Sequence, residues 1–204
     1  MSAIPGILLA GGLARRMGGG DKPMREIAGQ TVLARAIARI GPQCDGLALN
    51  ANGDATRFAA YGLPVIADSV AGFPGPLAGI LAGMDWATEQ RPDAAWILTV
   101  PADCPFLPGD LVARLSAARD EHNAEIAIAE SGGRTHPVIG LWPVAQREAL
   151  RRAIVDDGLR KVGLWTSRHR LARVSWPDQP FDPFFNANTP EDLAAAAEIV
   201  RLHD

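Results

Sequence analysis

Between Leu9 and Lys22 the chain carries five glycines, two arginines and one lysine, directly after the apolar run Ile7-Leu8-Leu9. Glycine lets backbone N–H groups turn inward and approach oxygens closely, and cationic side chains neutralise the charge that those amides leave uncovered. Residues of these types at this density wrap phosphate. Lysine occurs only at Lys22 and Lys161, while the other eighteen basic residues are arginine. A compact ammonium at Lys22 can follow a polyphosphate as charge moves during reaction, whereas a planar guanidinium prefers one bidentate geometry. The two common phosphate loops do not fit. Lys22 lies between Asp21 and Pro23, without the hydroxyl that a P-loop offers to its metal, and Pro23 stands where a dinucleotide fingerprint needs its third glycine.

Other residues with chemical potential follow apolar runs. Asp103 comes just after Ala95–Val100 and is flanked by Pro101 and Pro105, which fix its position and limit its retreat into water. Such a carboxylate suits Mg²⁺, which takes oxygen ligands, keeps several waters and needs few protein carboxylates when a nucleotide supplies the rest. Asp68 opens a stretch with Gly72, Pro74, Gly75, Pro76 and Gly79, where prolines stiffen the loop and glycines open room for a flat base against backbone. Asn50 ends a short strand at about residues 46–49. Near the C-terminus, Thr189-Pro190 with Asp192 specifies a helix start, which leaves Asn186 and Asn188 unexplained by capping. Two cysteines, Cys44 and Cys104, make neither a disulfide framework nor a zinc signature, and nothing near Cys104 in sequence would depress its pKa, so it reads as a packed neighbour.

The elements that must position these residues are legible from periodicity. Short apolar runs alternate with longer helical patterns through about residue 130, which predicts βαβ units and a mostly parallel sheet. Thr31 is placed to cap a helix carrying Val32, Leu33, Ala36, Ile37 and Ile40 on one face, ended by Gly41-Pro42. Strand signals at 124–129 and 138–142 flank a hairpin turn at Glu130–Arg134, which puts His136-Pro137 on the return arm, and a histidine there reads as structural. Pro108 and Asp110 start the helix after Asp103, and the final, alanine-rich helix reads as packing. The arginine-rich stretch 147–173 reads as the solvated face of two helices, with recruitment of an anionic ligand or partner as the sharper alternative.

At 204 residues the chain suits one domain with its own core. Hydrophobic content of 48%, charged content of 21% and a net charge of -3 are ordinary globular values and give no reason to expect nucleic acid or an anionic membrane as partner. No apolar run approaches the ~20 residues that span a bilayer, and a signal-peptide pattern is absent, so a reducing cytoplasm is expected.

Leu9-Ala10-Gly11-Gly12, then Arg16-Met17-Gly18-Gly19, then Asp21-Lys22 resembles the nucleotide-binding signature of molybdenum cofactor guanylyltransferases, and later segments extend the likeness over most of the chain. The resemblance implies a single-domain α/β fold, a Rossmann-like three-layer sandwich of the nucleotidyltransferase type over residues 1–204. Residues 1–110 would hold nucleotide and 111–204 the acceptor. It further implies GMP transfer from GTP to Mo-molybdopterin with Mg²⁺. Leu9, Ala10, Gly11, Gly12, Lys22, Asn50, Asp68, Gly79 and Asp103 match nucleotide-contacting positions. Asp103 matches the metal position, Arg16, Lys22 and Asp103 carry the chemistry, and Asn186 and Asn188 match acceptor-binding positions. Molybdoenzymes or delivery chaperones are the further partners expected, with the chain acting as a monomer or weak oligomer. The alternatives are a cytidylyl enzyme, whose relatives carry Leu-Ala-Ala-Gly where this chain has Leu9-Ala10-Gly11-Gly12, a sugar-phosphate nucleotidyltransferase, and a noncatalytic GTP-binding adaptor that delivers cofactor.

Overall fold

Ile7 and Leu8 are both fully buried, and they pack into different hydrophobic clusters on opposite faces of one strand, β1 (Gly6–Leu9). That is the environment of a central parallel strand, covered by helices on both sides, and it explains why the run has no polar alternation. Each of these side chains contributes roughly 1.5–3 kcal/mol by leaving water. The computed structural model describes residues 3–11, 22–70, 72 and 75–203. Gly12 and Arg16 lie outside the described residues, as does the side chain of Lys22.

After Lys22, which begins a short 3-10 turn, a small hairpin of β2 (Glu26–Ile27) and β3 (Gln30–Thr31) leads into α1 (Val32–Ile40). Thr31 caps α1 as expected, its Oγ1 accepting from the Ala34 N–H at 3.1 Å. There follow β4 (Leu47–Asn50), β5 (Val65–Ile66), α2 (Pro76–Gln90), β6 (Trp96–Pro101), α3 (Leu111–Glu121), β7 (Ile126–Ser131), β8 (Arg134–Pro143), α4 (Arg147–Val155), α5 (Val162–Thr166), β9 (Leu171–Trp176) and α6 (Pro190–His203).

The main sheet runs β5-β4-β1-β6-β8-β7-β9, and only β8 is antiparallel to its neighbours. One face packs against α1 and α3 around Leu33, Ile40, Leu111 and Leu115. The other packs against α2, α4 and α5 around Ile80, Leu81, Leu150 and Trp165. This is the three-layer α/β arrangement expected. A smaller cluster joins Ile27, Val32, Phe106, Ala187 and Ala196, and so ties α6 to the segment after β6.

The hairpin is longer than its apolar residues suggest. Gly132 and Gly133 both have positive φ, 52° and 72°, the backbone of a two-residue turn whose twist matches its strands. Pairing therefore runs to the tip, and His136-Pro137 lies inside β8. Pro137 has no N–H to donate, and the ladder accommodates it by jumping from the Ala129–His136 pair to the Ile128–Gly140 pair. Asp110 departs from expectation too. It precedes α3, but its side chain makes no cap and accepts from Trp176 Nε1 at 2.9 Å.

Candidate active site

Register brings the strand ends together. Leu9 lies opposite Asn50 on one side and Pro101 on the other, and Asn50 lies opposite Ile66. The segments carrying Ala10-Gly11, Asn50, Asp68 and Asp103 therefore leave the sheet along one edge, where open α/β sheets place their ligands. Two backbone bonds close the seam: Ala10 N–H to Asn50 O at 2.9 Å and Ala102 N–H to Leu9 O at 3.0 Å.

Asn50 is only 2% exposed. Its Nδ2 donates to Asp68 Oδ1 at 3.0 Å and to Ile66 O at 3.2 Å. Asn52 grips the other carboxylate oxygen, donating from Nδ2 to Asp68 Oδ2 at 2.7 Å and accepting from the Asp68 N–H at 2.9 Å. Two amides thus hold one half-buried carboxylate in a single orientation. The Asn50 side-chain oxygen faces the start of α2, where a Cβ on Gly79 would collide with it and with Leu9, so only glycine lets the helix approach this closely. Asn52 was not among the residues singled out in sequence; the Asn-x-Asn spacing at the end of a strand was the available signal.

Asp103 follows β6 directly and is partly exposed. Its carbonyl accepts from the Ala187 N–H at 3.0 Å, which brings the Asn186–Asn188 segment alongside it despite the sequence distance. Next to Asp103, the fully buried Cys104 donates from Sγ to Asn186 Oδ1 at 2.8 Å. Burial, and after it the Asp103 and Asp182 carboxylates, pushes this thiol well above its ordinary pKa, so it is a neutral donor and no nucleophile. Cys44 is inert for the same first reason, its thiol pushed up to about 12 by burial.

The rest of the Asn186 loop is fastened to the hairpin. Ser131 Oγ donates to Asp182 Oδ1 at 2.7 Å and meets His136 Nε2 at 2.7 Å. Since the hydroxyl has one proton and Asp182 takes it, His136 Nε2 is the donor to Ser131. Asp182 also accepts from the Phe184 N–H at 2.9 Å, and the Phe184 ring packs on His136 with centroids 4.9 Å apart. Burial lowers the His136 pKa, which keeps the ring neutral near pH 7. These contacts support the structural reading of His136; Ser131 and Asp182 are further residues that sequence reading did not single out. Beyond the loop, Thr189 and Asp192 form a reciprocal cap on α6, with Asp192 N–H to Thr189 Oγ1 at 3.1 Å and Thr189 N–H to Asp192 Oδ2 at 2.8 Å.

The arginine-rich stretch lies on α4 and in the segments after it. Arg151 reaches Asp85 on α2 at 2.6 Å and Arg147 approaches the same carboxylate at 3.7 Å, while Arg168 and Arg170 pair with Asp157 and Glu125. These pairs support the reading as a solvated face, with Arg147 and Arg151 also buckling α4 to α2.

A family model described as the MobA-like NTP transferase domain matches residues 6–171. A molybdenum cofactor guanylyltransferase of Rhodopseudomonas palustris BisB5 is 65% identical over 197 residues, covering 97% of this chain and 94% of its own. Among solved structures, molybdopterin-guanine dinucleotide biosynthesis protein A from Archaeoglobus fulgidus superposes with a TM-score of 0.75 at 22% identity, over 98% of this chain and 100% of its own. A Mycobacterium tuberculosis H37Rv protein solved in complex with manganese gives a TM-score of 0.69 at 18% identity, over 97% of this chain and 98% of its own. The two structures speak to the fold, and the near end-to-end identity with the first relative speaks to kinship: the chain belongs to the molybdenum cofactor guanylyltransferase family and is a MobA-like nucleotidyltransferase.

Proposed function

We propose that this chain transfers GMP from GTP to the terminal phosphate of Mo-molybdopterin, releasing pyrophosphate and forming the guanine dinucleotide cofactor. Family membership carries the choice of substrates, and the convergence of four strand ends on Asp68 and Asp103 supports the placing of the chemistry. A phosphate oxygen of the pterin attacks the α-phosphorus of GTP in line. The new P–O bond forms as the bond to the β-phosphate bridging oxygen breaks, and pyrophosphate leaves on the opposite side. The attacking phosphate is largely ionised near neutral pH, with a second pKa of about 6 in phosphate monoesters, so the protein needs no general base and no covalent intermediate.

In this reading Leu9, Ala10, Gly11, Gly12 and Lys22 wrap the phosphates, and Arg16 and Lys22 absorb charge as pyrophosphate departs. Asn50, Asp68 and Gly79 hold the nucleoside. Asn186 and Asn188 bind the acceptor, which divides the domain into a nucleotide part over about 1–110 and an acceptor part over 111–204. Asp103 fits a divalent metal: it is a hard oxygen donor at a strand end, its backbone clamped by Ala187. Among the described residues no three His, Cys, Asp or Glu side chains gather as a cage, so phosphate oxygens and water would complete the ligands, as Mg²⁺ prefers. When bound, the metal supplies neutralisation of phosphate charge. No helix among the described residues is long and apolar enough to cross a membrane.

Pyrophosphate release from GTP with Mg²⁺, measured with and without Mo-molybdopterin, tests the proposal. Release that requires the acceptor is expected, and CTP in parallel should be a much poorer donor. GTP binding without release would favour a delivery adaptor, and preference for CTP would overturn the base assignment.

A further inference from the structure

The amide of Asn186 has two edges, a carbonyl that accepts and an NH₂ that donates, and they present opposite polarity to whatever approaches. Asn186 is exposed, whereas Cys104 beneath it has no accessible surface. The thiol lies 2.8 Å from Asn186 Oδ1 and 3.9 Å from Phe184 O. A thiol is a weak acceptor with one proton to give. It therefore attracts the carbonyl edge of the amide and turns the NH₂ edge away from the core. The backbone of the same loop is held independently by the Ala187 N–H bond to Asp103 O, so the thiol is left to choose which amide edge faces out.

We propose that Cys104 is a positioning residue for the acceptor: its S–H locks the Asn186 amide with the NH₂ edge toward the second substrate, ready to donate to the phosphate or carbonyl oxygens of an anionic pterin. The inference rests on the acceptor role given to Asn186 above. Cys104 touches neither substrate and acts through Asn186 alone. Serine at this position keeps one O–H in nearly the same place, while alanine removes the donor together with the buried sulfur, so the serine variant separates the hydrogen bond from the packing.

Steady-state kinetics of the full chain with GTP and Mo-molybdopterin test this, with thermal melts to confirm that each variant folds. Cys104→Ala should raise KM for the acceptor between about 3-fold and 10-fold, the range expected for one hydrogen bond, with KM for GTP unchanged. Cys104→Ser should restore the acceptor KM. In a double-mutant cycle, Cys104→Ala should add nothing once Asn186→Ala is present. A Cys104→Ala effect that persists in the Asn186→Ala background, or that raises both KM values alike, would overturn the positioning role. If Asn186→Ala itself leaves the acceptor KM unchanged, the acceptor assignment fails first and this inference falls with it; an effect of Asn186→Ala without one of Cys104→Ala overturns the inference alone.

Discussion

The chain contains the tripeptide Asn-Ala-Asn twice, at residues 50–52 and 186–188, and the two copies behave alike in the middle and differently at the ends. Each central alanine is buried, Ala51 at 4% and Ala187 at 0% exposure. Each also donates its N–H to a backbone carbonyl on a neighbouring segment, Ala51 to Ile66 at 2.9 Å and Ala187 to Asp103 at 3.0 Å. A small side chain that buries in the seam while its amide reaches across is what fastens both loops. The flanking asparagines then part ways. In the first copy both amides turn onto one carboxylate, Asp68, and build a preorganised acceptor of hydrogen bonds. In the second, Asn186 faces solvent over Cys104, and the Asn188 N–H donates to Asp192 at 2.9 Å at the head of α6. Sequence identity across three residues says where a loop is pinned. The partners beyond the tripeptide decide what it offers a ligand: a negative, hydrogen-bond-accepting group at Asp68, and an amide donor at Asn186.

The comparison is broken most severely at the residue that joins the halves. Asp103 carries the proposed metal role through its carboxylate and holds Ala187 through its carbonyl, so Asp103→Ala should lower guanylyl transfer by about 10²-fold or more while the melting temperature stays close to that of the unaltered chain. Lys22→Ala should fall in the same class. Near-normal turnover in either variant would sink the mechanism.

Within the first copy, Asp68→Asn replaces an acceptor of two amide donors by a group that brings donors of its own. With the carboxylate charge gone and the buried Asn50 amide facing a group that brings donors of its own, GTP affinity measured by calorimetry should drop roughly tenfold, with acceptor binding little changed. Equal loss on both substrates would show that the two copies are not separable.

The shared feature is tested by filling the seam. Ala51→Leu and Ala187→Leu should each cost about 1–3 kcal/mol by overpacking, read in denaturant titration. Beyond that common cost, Ala51→Leu should raise KM for GTP and Ala187→Leu that for the acceptor.

The smallest effect expected concerns pH. Burial lowers the pKa of His136 below its ordinary value of 6.5, so in the window just under 6.5 the unfolded chain binds more protons than the folded one. Stability is therefore fully present above that window and falls as pH drops through it. His136→Gln should flatten this part of the profile in melts run between pH 7.5 and about 5, and an unchanged slope would remove His136 from the account.

Much of the strand-end cluster was legible in the chain itself. Ile7-Leu8-Leu9 reads as a short buried strand, Thr31 and Thr189 could cap because their hydroxyls precede helical runs, and Asn50, Asp68 and Asp103 each follow an apolar run. These are local rules, set by propensity, capping chemistry and the burial of apolar runs, and they operate over a few residues. Pairings across long separations were not legible: Asn52 with Asp68, Ser131 with Asp182, and Cys104 with Asn186 some 82 residues away. Periodicity carries no record of which loop will lie against which. Only the parallel register of β4, β1 and β6, the turn at Gly132-Gly133 and the return of the chain into α6 bring those groups within reach. A cysteine that in sequence is merely apolar thereby becomes a hydrogen-bond donor, because tertiary packing removes its water and sets an amide oxygen beside it.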